Sequence, residues 1–135
     1  MSILGTRVLR TEDPKYLTTG GEYTEDLVDD RLTGAVHVFF VRSPVAHARI
    51  TGIDLDAVRA APGVVAAFTG ADLADVRPVS PMPGINAEMT QTLLATDTVR
   101  FVGDPVAMVV VEDPYQGEDA MELVAVDYDP LRAHV

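Results

Sequence analysis

Ala35-Val36-His37-Val38-Phe39-Phe40-Val41 is the stretch whose reading decides the fold. Strand side chains alternate between faces, so His37, Phe39 and Val41 point one way and Val36, Val38 and Phe40 the other. Both faces are apolar apart from His37, which predicts a strand inside a sheet rather than at its edge. Arg42-Ser43-Pro44 interrupts the strand, and residues 47–53 are a second extended stretch. A short helix is expected over 55–61, capped by Asp54, because its carboxylate can accept the orphan N–H groups of a first turn. Pro62-Gly63 stops it. Residues 64–68 read as a strand, 70–73 as a turn, 94–102 as extended chain, and 105–111 as an unbroken apolar run of the buried-strand type. Gly103-Asp104 is read as a turn between the last two. Asp113-Pro114-Tyr115-Gln116 has the makings of a helix start: an Asp cap, Pro at the first helical position, and Gln three residues after the cap. That helix is expected to reach Val124, burying Ala120, Met121, Leu123 and Val124, and a strand over 125–128 ends at Pro130. Outside these elements, 1–33 reads as a charged, turn-rich arm and loop, and 76–92 as an irregular Pro-rich loop.

The chain has 135 residues, 47% of them hydrophobic and 23% charged, the composition of one folded domain. With Lys+Arg at 10 against Asp+Glu at 21, the net charge is -11, which repels a phosphate backbone or an anionic bilayer. Neither nucleic acid nor a membrane is expected as a partner. The absence of cysteine excludes disulfides, iron–sulfur ligation, thiolate zinc sites and a thiol nucleophile. The first residues lack the basic start and apolar segment of a signal peptide, and no apolar run approaches the ~18 residues of a membrane span, so the chain reads as cytoplasmic.

His37, His47 and His134 are far apart, and none pairs with a His or carboxylate at a metal-ligand interval. A Ser43/His47 pair with an Asp can be drawn as a hydrolytic triad, but Ser43 precedes Pro44 and lacks a nucleophile elbow. Gly20-Gly21 has no following Gly-Lys-Ser/Thr, and Gly103-Asp104-Pro105 precedes a strand, so neither forms a phosphate cradle. Residue chemistry alone thus gives a domain without an evident active site.

One phrase changes that reading. Arg42-Ser43-Pro44-Val45-Ala46-His47-Ala48-Arg49-Ile50 resembles a segment near the start of the large, molybdenum-binding subunits of the xanthine dehydrogenase, aldehyde oxidase and carbon monoxide dehydrogenase family. The resemblance continues in order through Glu12-Asp13-Pro14, Tyr16-Leu17 and Asp26-Leu27 upstream. Downstream it runs through Pro62-Gly63-Val64-Val65-Ala66, then Val99-Arg100-Phe101-Val102-Gly103-Asp104-Pro105-Val106-Ala107, then Glu118-Asp119-Ala120 and Asp127-Tyr128-Asp129-Pro130-Leu131. One departure is Leu17-Thr18-Thr19-Gly20-Gly21-Glu22-Tyr23, where the family usually carries a basic residue between two glycines; 76–89 has no counterpart.

The resemblance implies the N-terminal α/β-hammerhead domain: an α+β fold with a mixed β-sheet and two short packing helices, a single domain over 1–135. The family's molybdopterin-binding segments and catalytic glutamate lie in later domains, so no catalytic, cofactor-binding or metal-ligating residue is implied here. The family's reaction is hydroxylation of a carbon centre or oxidation of carbon monoxide with water, so the resemblance implies a full enzyme that uses molybdopterin, with iron–sulfur clusters and FAD in partner subunits or domains. The implied partners are the remaining molybdopterin-binding domains of the large subunit and the iron–sulfur and flavin subunits. Arg42, His47, Arg49 and Gly103 are then structural or interface residues. The chain stops just after the last shared motif, as expected of a piece of a longer polypeptide. The alternative is a stand-alone binding module that reuses the hammerhead fold without catalysis.

Overall fold

The structure, a computed structural model, describes residues 5, 10–21, 23–76, 84, 86 and 90–133. The chain divides into two compact units, 1–33 and 34–135. His134 and most of the Pro-rich loop lie outside the described residues.

The first unit carries more local structure than the arm and loop expected of it. Asp13–Thr18 is a short helix (α1), with Pro14 in its first turn, where a missing N–H costs nothing. Thr24–Asp26 and Asp30–Leu32 are single 3-10 turns. The Asp26 carboxylate accepts the Tyr23 N–H at 3.0 Å, and Asp29 accepts the Arg31 N–H at 2.9 Å. The Arg31 guanidinium also pairs with Asp29 and holds that exposed carboxyl below the usual carboxylate range.

Among the described residues of the second unit the α+β class holds, with six strands and two short α-helices. The strands are β1 (His37–Arg42), β2 (Ala48–Asp54), β3 (Val64–Thr69), β4 (Thr98–Val99), β5 (Pro105–Val111) and β6 (Ala125–Pro130). Helix α2 is Asp56–Arg59 and α3 is Gly117–Glu122. The strands do not form one mixed sheet. They divide into two three-stranded sheets, β1-β5-β3 and β4-β2-β6, and every pairing is antiparallel.

The central position of the first sheet goes to β5, whose run from Val106 to Val111 contains no polar side chain and can be buried on both sides. β1 is therefore an edge strand, contrary to the sequence expectation. Helices α2 and α3 cover one face of this sheet only. Leu55, Val58, Ala120 and Val124 pack there on Ala67, Ala107, Val109 and Val111, joined by Phe39 and Val41. A smaller core joins Ala48 and Val99 of the second sheet to Ala95 and to Val106 at the start of β5, and Val41 and Val126 border both clusters. Gly117 permits a close approach of helix to sheet. A Cβ there would lie 2.1 Å from the Phe39 ring, so only glycine lets α3 sit directly on β1.

Local details depart from expectation for identifiable reasons. Asp54 does accept the Asp56 N–H at 2.8 Å, but α2 is only one turn long and starts after Leu55. Of 94–102, only Thr98–Val99 joins a ladder. The Ala95 N–H bonds the Pro105 carbonyl at 2.7 Å and Asp97 O accepts from Ile50, bending the chain so that Leu94 and Ala95 are buried. Asp113 caps the Tyr115 N–H at 2.9 Å, yet no capping box forms, because the Gln116 side chain lies over Gly63 with its Oε1 buried and without a hydrogen-bond partner. Helix α3 ends at Glu122, which leaves Leu123 exposed and Met121 half-buried while Ala120 and Val124 are buried.

Candidate functional site

The most polar buried point of the second unit lies where the end of β1 meets the turn before β5. A register shift after Val41 brings Arg42 opposite Pro105. The next residue, Ser43, is 2% exposed, and its backbone clasps that turn: Ser43 N–H donates to Asp104 O at 2.9 Å and Ser43 O accepts from Gly103 N–H at 2.8 Å. Its hydroxyl donates to Val45 O at 2.8 Å and accepts the Val45 N–H at 3.1 Å, closing a local loop around Pro44. Across the turn, Asp104 N–H reaches Phe101 O at 3.2 Å, and Gly103 occupies the third position with φ +94, where type II turns take glycine. Asp104 is buried, and its carboxylate accepts the Arg100 N–H at 3.0 Å.

Of the residues singled out in the sequence, Arg42 and Gly103 meet here. The Arg42 Nη1 donates to Gly103 O at 3.0 Å, and its guanidinium stands 5.9 Å from the Phe40 ring centroid. His47 lies just before β2. Its Nδ1 donates to the Arg132 carbonyl at 2.8 Å, which assigns the proton to that nitrogen, and its own carbonyl accepts the Leu131 N–H at 2.9 Å. It ties the chain after β6 to the start of β2. Arg49 is exposed on β2, opposite Thr98 and Asp129, and the described residues give its guanidinium no hydrogen bond. The turn at Gly103 does not close a hairpin, because β4 pairs with β2 and β5 with β1 and β3. No Ser43–His47 bond forms, so the triad drawn from the sequence has no geometric basis.

Tyr128 was not singled out in the sequence. Burial pushes its phenol up from the ordinary value, the nearby Asp104 charge adds to this, and the Ser43 hydroxyl opposes it. Its only sequence signal was membership of the last shared motif. Two clefts flank the turn: one of about 270 Å³ is lined by Thr92, Ala95, Arg100, Phe101 and Asp104, among others, and one of about 380 Å³ by His47, Phe101 and Val102, among others.

The polar atoms of this centre are consumed by one another and by backbone, which is the chemistry of a structural clasp. Among the described residues no group of three His, Asp or Glu side chains could hold a metal ion. The chain also has no cysteine that could ligate an iron–sulfur cluster.

The sequence pattern of the aldehyde oxidase and xanthine dehydrogenase a/b hammerhead domain matches residues 18–132. The chain belongs to this family. It is 44% identical over 134 residues to the nicotine 6-hydroxylase large subunit of Paenarthrobacter nicotinovorans, covering 96% of this chain and 16% of that protein. It is 41% identical over 128 residues to the carbon monoxide dehydrogenase large chain of Afipia carboxidovorans, covering 95% of this chain and 15% of that one. In three dimensions it matches quinoline 2-oxidoreductase from Pseudomonas putida 86 with a TM-score of 0.78 at 42% identity, over 95% of this hammerhead chain and 16% of that one. The hammerhead chain thus spans about a sixth of the length of the relatives it matches. Among the described residues no helix is long and apolar enough to cross a membrane.

Proposed function

We propose that this chain is the non-catalytic hammerhead domain of a molybdenum-containing hydroxylase or dehydrogenase large subunit, and that it serves to frame that subunit and pack its parts. One observation carries the reading: the chain aligns nearly end to end with large subunits of which it makes up only about a sixth. The clasp of Ser43, Gly103 and Asp104 supports it, because its hydrogen bonds run to backbone and serve the fold. On this reading residues 1–135 act as one domain with an N-terminal arm. The molybdopterin belongs to the rest of the large subunit, and the iron–sulfur clusters and flavin to partner subunits or domains, in the cytoplasm.

The test is the mass and metal content of the native protein. Molybdenum should co-purify with a polypeptide or tight complex several times larger than 14.5 kDa that contains this sequence. Recovery of the native protein at the mass of this chain alone, without molybdenum, would replace the reading with that of a stand-alone binding module.

A further inference from the structure

We infer that the outer face of the β1-β5-β3 sheet is the surface on which this domain docks against the remainder of the molybdenum-binding large subunit, an inference that rests on the function proposed above. The antiparallel registers place Val38 beside Val110 and Ala66, and Phe40 beside Met108 and Phe68, on one face. None of these six belongs to either core cluster, since both helices pack on the opposite face. Val38 remains 47% and Phe40 40% exposed, and Val36, next in the alternation, is as open. Met108, Val110, Ala66 and Phe68 are half-buried behind them, so the β1 side of an apolar sheet face stays open to water, the mark of an interaction surface.

Charge makes the same point. The chain carries 21 acidic residues, yet none lies in β1, β5 or β3, whereas the second sheet carries Asp54, Asp127 and Asp129. Loss of charge from an exposed patch is the composition of an interface centre. At one end of the face Arg42 stands over Phe40, a cationic rim for an otherwise neutral surface.

The occupant follows from two facts. A second copy would bring another net charge of -11 against the first, which opposes self-association. The large-subunit relatives, by contrast, hold about five sixths of their length outside the part this chain matches. Joined to such a polypeptide, the face meets its partner at high effective concentration, with no separate encounter required.

The chain contains no cysteine, so a single introduced thiol reports one position. Val38→Cys and Phe40→Cys are made in the 135-residue chain and in the complete large subunit that contains it, with peptide mass spectrometry following reaction with iodoacetamide. Tyr115→Cys, at a position 91% exposed, sets the rate of an open site in the 135-residue chain. Both face thiols should react within a few-fold of that reference in the 135-residue chain, and at least tenfold more slowly in the large subunit. Equal rates in the two forms at position 38, a mild substitution, would overturn the docking assignment even with the large subunit intact. Protection already present in the 135-residue chain, with a dimer in sedimentation, would overturn it in favour of a second copy. Failure of the proposed function itself reads differently: no molybdenum-containing large subunit with this sequence is recovered.

Discussion

Gly103 and Gly117 are needed for opposite physical reasons. At Gly103 the backbone requires φ +94 while a Cβ would meet nothing within 4 Å, so the constraint is conformational alone. Gly103→Val should cost about 1–3 kcal/mol through backbone strain, read as a lowered midpoint in denaturant or thermal unfolding. An unchanged midpoint would count against the turn. At Gly117 the φ is ordinary and the obstacle is the Phe39 ring, so Gly117→Ala forces that ring out of the core. Although alanine favours helix by about 1 kcal/mol, overpacking of about 1–3 kcal/mol should dominate, and Phe39→Leu should relieve it in the double variant. His47 ties the chain after β6 to the start of β2. His47→Ala should lower stability by about 1–3 kcal/mol. In the assembled enzyme, activity per bound molybdenum should stay nearly normal. A hundred-fold loss on that scale, about 2.7 kcal/mol, would place this residue in the reaction instead.

Among the elements, the segment before β4 is held by burial rather than by a ladder. Leu94 is fully buried although it lies in no strand. Leu94→Ala should cost about 2–5 kcal/mol, measured by denaturant unfolding, as large as for a strand residue. Strand β6 offers a test by pH. The Tyr128 phenol is raised in the folded state, so the unfolded chain loses that proton first as pH climbs. The folded chain then binds more protons, and stability must fall as pH rises from about 10, with the contribution fully present below it. Tyr128→Phe should flatten that part of the stability profile, while an unchanged alkaline slope would assign the loss to other groups. β5 and β3 were legible along the chain because apolar runs bounded by Pro and Gly are local signals. The single pairing of 98–99 was not, because the hydrogen bonds that bend 94–97 are made to Pro105 and Ile50.

For the molecule as a whole, the 135-residue chain should bind neither molybdenum nor flavin. A desalted sample with stoichiometric molybdenum by mass spectrometry, or with a persistent flavin spectrum, would contradict its assignment as a framing domain. The candidate centre was half legible. Arg42-Ser43-Pro44 and Gly103-Asp104-Pro105 each stood out as phrases, but their union rests on hydrogen bonds between residues about sixty positions apart, and Tyr128 joins them from a third segment. No periodicity encodes such a meeting.

What the sequence determined by itself was whatever depends on near neighbours and on bulk composition. The apolar run of β5, the Asp113 cap, the left-handed glycine at 103, the acidic balance and the absence of thiols all belong to that class. The ordered motifs added the family. Only the tertiary structure decided that the strands part into two antiparallel sheets, that β1 lies at an edge, and that one apolar face is left uncovered. Alternation states which side chains share a face. Which neighbour a strand takes, and what then covers that face, depends on a competition among all strands for partners, and in it the all-apolar β5 wins the centre because it loses the most by meeting water.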